Sequence, residues 1–503
     1  MDNIFKNLFV LDLANNHFGD VEHAKKIIKK FSEVVKKNKV KAAIKFQLRD
    51  YETFIHESYL NSDDRYVRRF LDTKLSISQF RELFRYVKKN NLLTACTPFD
   101  ENSVEVIENF KFDLLKIASV SSNDFRLLKR AVKNKIPKII STGGLKIPEI
   151  DKIVRLMKKY NQKFSLMHCI SIYPSNDFDL QISFIKSLKK RYPETSIGWS
   201  THEDPKSFLP SSLAKACGAE IFERHVGINS QKYKLNKYSM EPDIFQNYID
   251  NLNNVDKILS YQNNEKKTIT KKEIITLQTL QRGLYAKSDL KKGTILNEKN
   301  SYLAFPLQKN QLPANLIKNK MMLKSKIIKD KPIQTKYIKH NTETIEELNI
   351  WKHIHNVRGI LNENKIAVGK NFEMEISHHK GLKNFHKVGC FLFNLINKEY
   401  AKKIIVMLPN QAHPVHYHKI KNETFHILTG NLTLILNGVT KKLKSGDIID
   451  IKKNSYHKFK AGPNGCIFDE ISTTHINSDS HYQCVKIKNM KRFERKTIVT
   501  SWL

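Results

Sequence analysis

Near the C-terminal end, His416-Tyr-His418 is followed by Glu423, Gly430, Gly446 and His457. Side chains alternate along an extended strand, so His416 and His418 share one face. Glu423 opens the next apolar run, and His457 comes from a later one. Three neutral imidazoles and a carboxylate suit Zn, Fe, Mn, Co or Ni and leave positions for water or substrate. A lone His-x-His falls by chance in a chain with 19 histidines; four residues with two glycine turns are a stronger signal. A second set lies nearer the N-terminus, where polar residues close eight short apolar runs. They read Asp12 to Asn16-His17, Lys45-Phe-Gln47, Thr97-Pro-Phe-Asp100, Lys116-Ile-Ala-Ser119, Ser141-Thr142-Gly143, His168-Cys-Ile-Ser171, Ser200-Thr-His202 and Glu223-Arg-His225. A strand needs none of these for packing. One is expected wherever a loop begins, but eight in series predict a polar, phosphate-tolerant pocket.

The elements that must position them follow from the spacing. Apolar runs at 8–15, 41–47, 92–99, 114–119, 138–144, 164–170, 196–202 and 221–227 alternate with amphipathic stretches such as 21–38, 76–90, 101–110, 124–134 and 178–191. That rhythm predicts βαβ units and a parallel sheet. Eight units in about 230 residues match a closed (β/α)8 barrel, whose chemistry sits at the C-terminal ends of its strands. A doubly wound open sheet is the alternative, but no GxGxxG follows the first run. A linker-like helix at about 242–260 closes the region 1–260, and a charged linker spans 261–276. Residues 277–340 read as a compact basic segment of short β runs, and 341–369 as a second linker. From 370 to 490 short alternating strands recur about every ten residues, predicting an all-β barrel. Residues 491–503 read as a tail.

A length of 503 residues agrees with several domains. No apolar run approaches the roughly 20 residues of a membrane helix, and the N-terminal run LFVLDLA, broken by Asp12, lacks the features of a signal peptide. Six cysteines without a CxxC pair predict reduced thiols and a cytoplasmic protein. The 87 Lys and Arg against 50 Asp and Glu give a net charge of +37. The excess is scattered as pairs such as Lys25-Lys26 and Lys441-Lys442, with no basic arm and no aromatic-interleaved motif. It reads as solvated Lys-rich surface, against a nucleic-acid partner.

The motifs of residues 1–340, in order and spacing, resemble the sialic acid synthase family of PEP-dependent condensing enzymes, with a TIM barrel followed by an antifreeze-like (SAF) domain. Asn16-His17-Phe-Gly19-Asp20, Lys45-Phe-Gln47, Lys116-Ile-Ala-Ser119, Tyr173-Pro174 and Glu223-Arg-His225 carry the match, and Arg282-Gly with Lys291-Lys-Gly293 carries it into 277–340. The resemblance implies PEP held by Lys45, Thr97, Lys116, Ser119, Ser141 and Ser200, and a divalent Mn2+ or Mg2+ on His202 and His225. It implies Asp12, Glu223, Gln47 and Tyr173 at the sugar or its protons. It also implies a domain-swapped homodimer in which Arg282 reaches the neighbouring subunit's site. The His416–His457 set resembles the cupin double motif, with Lys452-Lys-Asn454 replacing the family's PxG. The surrounding segment is similar to sugar-isomerase cupins of the D-lyxose isomerase type, in which Glu470 would be a base.

Four departures bear on the substrate. A usual Glu is Asp12, a usual Ser-Asp-His is Ser200-Thr201-His202, an Asn is Ser171, and an Asp-His loop is Leu235-Asn236. The expected reaction is condensation of PEP with an aldose, such as N-acetylmannosamine or a relative, to a nonulosonic-type keto acid, with the cupin binding or isomerising a sugar. The competing reading is a catalytically retired barrel with a cupin that isomerises a sugar or binds sugar or nucleic acid. The intact Lys45, Lys116, His202 and His225 oppose it.

Overall fold

Each of the eight N-terminal runs forms a strand: β1 (Leu8–Asp12), β2 (Lys41–Leu48), β3 (Leu93–Pro98), β4 (Leu114–Ile117), β5 (Lys138–Ser141), β6 (Phe164–Cys169), β7 (Ser196–Ser200) and β8 (Ile221–His225). All pair in parallel and in sequence order, and β8 closes on β1, so the sheet is a barrel rather than an open doubly wound sheet. The computed structural model describes residues 3–259, 269–317, 321–339, 344–369, 372–473, 475–476 and 478–502. The chain divides into two units, Met1–Lys267 and Thr268–Leu503.

Period-two alternation builds the barrel interior in layers. Val10, Ala43, Ala95, Leu114, Ile139, Met167 and Ile221 are fully buried. Two residues further along the same strands stand Asp12, Lys45, Thr97, Lys116, Ser141, Cys169 and Glu223. An apolar plug therefore underlies a polar layer at the C-terminal strand ends. Gly198 occupies the β7 position in the apolar layer, because a Cβ there would collide with Met167 and Ile221. Register then levels the polar side chains: Asp12 pairs with both Lys45 and His225, Gln47 with Thr97, and Ser200 with both Glu223 and Cys169.

The helices fold where an apolar stripe recurs at helical spacing. Val21–Asn38 is capped by the Asp20 side chain, which accepts from the His23 amide, and buries Ala24, Ile27, Ile28, Phe31 and Val35 against the sheet. The helix Pro242–Leu259, expected as a linker-like helix closing the region 1–260, buries Phe245, Tyr248, Ile249 and Leu252 in the barrel core. It is the outer-layer element after β8, because its apolar stripe has the sheet to cover. After β2 the chain makes an excursion that includes the helix Arg65–Asp72, none of whose residues is buried.

In the second unit, β9 (Gly283–Ala286), β10 (Ser301–Ala304), β11 (Met322–Leu323) and β12 (Ile338–Lys339) surround a small core of Leu284, Leu312, Leu323, Ile333 and their neighbours. The all-β region holds β13 (Glu373–Ser377), β14 (Cys390–Asn397), β15 (Tyr400–Met407), β16 (Ala412–Tyr417), β17 (Glu423–Leu436), β18 (Val439–Lys444), β19 (Ile448–Ile451), β20 (His457–Thr473), β21 (His481–Tyr482) and β22 (Lys496–Val499). The sheet runs β18-β17-β20-β15-β14-β13-β22, with β16 and β21 beside β20 and β19 beside β17. Gly430, which reads as a turn in sequence, instead sits at a bulge with φ +81° where β17 bends without ending, and the Gly465 carbonyl leaves no room for a Cβ. Two segments set apart in sequence join this region. Ile354, Val357 and Leu361 of the helix Thr344–Glu363 enter its core, and β22 pairs with β13 while Trp502 packs on Phe372.

Candidate active site and metal centre

The C-terminal mouth of the barrel opens into a cavity of about 770 Å3. It is lined by twelve of the residues singled out in the sequence: Asp12, Lys45, Gln47, Thr97, Lys116, Ser119, Ser141, Tyr173, Ser200, His202, Glu223 and His225. Lys45 Nζ lies 2.8 Å from Asp12 Oδ2 and 2.9 Å from Glu223 Oε1. Lys116 Nζ donates to Ser141 Oγ at 2.6 Å and lies 3.2 Å from Glu223 Oε2. Burial works against the Lys45 ammonium, yet Asp12 and Glu223 raise its pKa on balance. For Lys116 burial wins and lowers it, with Glu223 opposing. Glu223 is pushed up by burial but brought down to about 2 by Lys116 and Lys45. The Thr97 hydroxyl is buried without a hydrogen-bond partner among the described residues, as groups facing a ligand are.

His202 and His225 stand edge to face with ring centroids 5.1 Å apart, and the Tyr173 ring lies 3.9 Å from His202. His202 Nδ1 faces the Ile170 carbonyl at 3.3 Å, which leaves Nε2 as its free nitrogen. Burial, then His225, lowers the His202 pKa to about 2, and burial lowers that of His225 as well. Both rings are therefore neutral and can act as ligands. His225 Nε2 approaches Asp12 Oδ2 at 3.4 Å, while its Nδ1 is a buried atom without a partner among the described residues. Two imidazoles beside a carboxylate fit a divalent ion that keeps several open positions. Behind them, the Arg224 guanidinium is ion-paired to Glu203, both fully buried, tying the β8 end to the loop that carries His202.

Other motif residues hold the frame. Asn16 Nδ2 donates to the Val226 carbonyl at 2.9 Å and to Ser239 Oγ at 3.0 Å, and Asp100 caps the helix Glu101–Phe110. His168 Nε2 is 2.8 Å from the Leu180 carbonyl. Asn236, in the loop that departs from the family, accepts from the Tyr238 amide and the Ser239 hydroxyl and so serves its own turn. Arg282 is exposed, immediately before β9 in the second unit.

Sequence reading missed Arg49, Arg65, Arg69 and Tyr238, which also line the cavity. Arg49 follows Lys45 and Gln47 at the strand period, a signal that was available. Its guanidinium lies over Phe99 at 3.7 Å and Phe70 at 4.1 Å, and burial lowers its pKa to about 10.

In the all-β unit, His416, His418 and His457 each offer a nitrogen within 4.8 Å of the others, all buried. Their Nδ1 atoms face the carbonyls of Pro414, Asp479 and Ser455 at 3.0, 2.6 and 3.0 Å. Donation from Nδ1 leaves the lone pair on Nε2, aimed inward. Glu423 Oε1 is 3.3 Å from His418 Nε2, and its Oε2 is 3.3 Å from His457 Nε2. Neighbouring ligands on one ion at bonds of about 2.0–2.2 Å lie about 3 Å apart, so the four residues fit a transition-metal centre. Burial, then Glu470, pushes Glu423 up to about 8; a divalent ion among the imidazoles would favour its carboxylate. Glu470 accepts from Lys421 at 2.7 Å and lies 3.8 Å from Lys403. Burial pushes it up, but these ammonium groups hold it well below the usual carboxylate range. Such a carboxylate is a weak base. Replacing His416 with alanine should abolish stoichiometric Zn2+ or Mn2+ binding by this unit and remove the chelator sensitivity of its melting temperature. Elemental analysis of the purified variant checks this; unchanged metal content would contradict the assignment.

Residues 33–264 match the NeuB family model, and residues 403–464 match that of the cupin domain. The structure of a candidate spore coat polysaccharide biosynthesis protein E from Chromobacterium violaceum is 35% identical with a TM-score of 0.61, covering 67% of this chain and all of that one. The chain belongs to the NeuB family. This NeuB-family chain carries a C-terminal cupin domain in addition. N-acetylneuraminate-9-phosphate synthase of Drosophila melanogaster is 31% identical over 243 residues, 46% of this chain and 63% of that one. Pseudaminic acid synthase of Campylobacter jejuni is 28% identical over 310 residues, 59% of this chain and 87% of that one. The chain thus spans less than two thirds of the Drosophila relative. Among the described residues, no helix is long and apolar enough to cross a membrane.

Proposed function

We propose that the barrel condenses phosphoenolpyruvate with the open-chain form of an aldose, probed first with N-acetylmannosamine, to give a nonulosonic-type 2-keto-3-deoxy acid and phosphate. The observation that carries this reading is the pair of buried lysines, each held by Glu223, in a cavity with two neutral imidazoles. Lys45 and Lys116, with the hydroxyls of Thr97, Ser119, Ser141 and Ser200, bind the phosphate and carboxylate through charge-assisted hydrogen bonds. His202 and His225 would hold Mn2+ or Mg2+, which supplies Lewis-acid polarisation of the aldose carbonyl. Asp12, Gln47, Glu223 and Tyr173 border the space left for the sugar, where they orient its hydroxyls and move protons. PEP C3 forms the new bond to the aldose C1; water adds at PEP C2, and phosphate leaves from that carbon. Holding both reactants in one cavity replaces an encounter in solution and lowers the barrier by several kcal/mol.

The cupin would hold a transition metal on His416, His418, Glu423 and His457. The space beside these residues is about 30 Å3, room for about one or two waters, so a sugar enters for binding or isomerisation only if the wall moves. In the same reading Arg282 completes the barrel site of a second copy in a homodimer. Phosphate release from PEP should require both an aldose and a divalent ion. Absence of release across a panel of aldoses with Mn2+ present would sink the proposal.

A further inference from the structure

We propose that the cupin centre takes a small organic acid, bound to the metal through its carboxylate and an oxygen on the adjacent carbon, and held from the side by Lys403. This rests on the metal-centre reading above and names the class of ligand it takes. A six-coordinate ion on His416, His418, Glu423 and His457 keeps two positions open. The space beside these residues is about 30 Å3, room for about two waters. Two neighbouring oxygens of one acid can replace those waters, whereas a sugar ring needs the wall to move.

Lysines give this space its sign. Lys403, Lys421 and Lys496 line it together with Glu470. Lys421 is ion-paired to both Glu423 and Glu470, and Lys496 to Glu375. Lys403 stands apart. Among the described residues it makes no hydrogen bond, and its carboxylate neighbour, Glu470 Oε1 at 3.8 Å, is already engaged by Lys421. On β15 it occupies an interior position, sharing the face of Ile405 and Met407, which pack in the core. An aliphatic side chain would serve packing there without the cost of burying a charge. Burial lowers the Lys403 pKa against the pull of Glu470, and an anion beside the amine would raise it again.

A divalent ion adds further positive charge to the same space. Glu423 and Glu470 offset the ion and the two ammonium groups only in part. Asp479 lies behind His418, where it accepts from the backbone amides of Lys419, Ile420 and Lys421. Even with its charge counted, the centre stays positive, and a carboxylate supplies the missing counter-charge. His475 also lines the space, with its Nδ1 buried and without a partner among the described residues. It is a second group able to donate to the acid.

The test uses the full chain carrying H202A/H225A, so that bound Co2+ reports on the cupin alone through its visible absorption. Pyruvate, lactate and N-acetylmannosamine are titrated into this protein and into the same chain with K403M added. Melting curves and elemental analysis check folding and metal content. The expected result is a saturable spectral change with one or both acids and none with the sugar at the same concentrations. In K403M the acid should bind at least about tenfold more weakly at unchanged Co2+ content. No saturable change with either acid, or a response to the sugar as strong as that to the acids, would overturn the inference and leave the metal centre standing. Equal acid affinity in K403M would overturn it as well. The comparison of acids with sugar needs no Lys403 variant, so it decides even if K403M does not fold. A wild-type minus H416A difference spectrum gives the same readout without the barrel substitutions. Absence of Co2+ from the cupin in both formats would overturn the metal-centre reading too.

Discussion

Replacing His202 with alanine is expected to lower kcat for phosphate release by at least about a hundredfold, because a preorganised electrostatic contact to developing charge is worth about 2.7–4 kcal/mol. Among the described residues the ring is one of two imidazoles lining the cavity, and its neutrality follows from burial and from His225 beside it. Its loss leaves His225 and a carboxylate already engaged by Lys45. Tight Mn2+ binding by the barrel should therefore fail together with turnover. Steady-state kinetics with Mn2+ titration checks both, and the cupin ligands remain intact as an internal control. An undiminished rate would remove the imidazole pair from the proposed chemistry.

Glu223→Gln is expected to cost stability as well as activity. The side chain is the shared counter-ion of Lys45 and Lys116, and all three are buried. Removing one partner of a buried ion pair costs about 3–5 kcal/mol, because an uncompensated charge stays inside. Lys45 keeps Asp12, so the burden falls on Lys116, which retains only Ser141. Adding Lys116→Met should then recover much of the stability and none of the activity. The acid limb gives the sign independently. The wild-type carboxylate sits at about 2 in the folded state, against about 4.3 when unfolded. It contributes stability above the unfolded value, and that contribution fades as pH falls towards 2. Urea unfolding at neutral and acid pH should show a flatter acid limb in Glu223→Gln. Equal stabilities at pH 7 would contradict the shared-counter-ion role.

Strand ends were legible because alternation is simple: the polar residue two places beyond a buried apolar one, as in Val10 to Asp12 or Leu114 to Lys116, faces the same interior. The imidazole triad of the cupin was legible for the same reason, with His416 and His418 on one face and Glu423 opening β17. Arg65 and Arg69, which also line the cavity, were not, since their helix has no buried stripe to betray it. Glu470 was legible only as one possible base, because sequence does not show Lys421 and Lys403 folding onto it. β22 passed for a tail because a four-residue strand becomes recognisable only through its partner, β13.

The most direct measurement is mass spectrometry of the product formed from PEP, N-acetylmannosamine or another aldose of the panel, and Mn2+ in 18O-labelled water. Condensation through C3 predicts one product with the combined mass of the aldose and pyruvate, carrying label at the former PEP C2, and unlabelled phosphate. Pyruvate as the only organic product, or label in the phosphate, would contradict it.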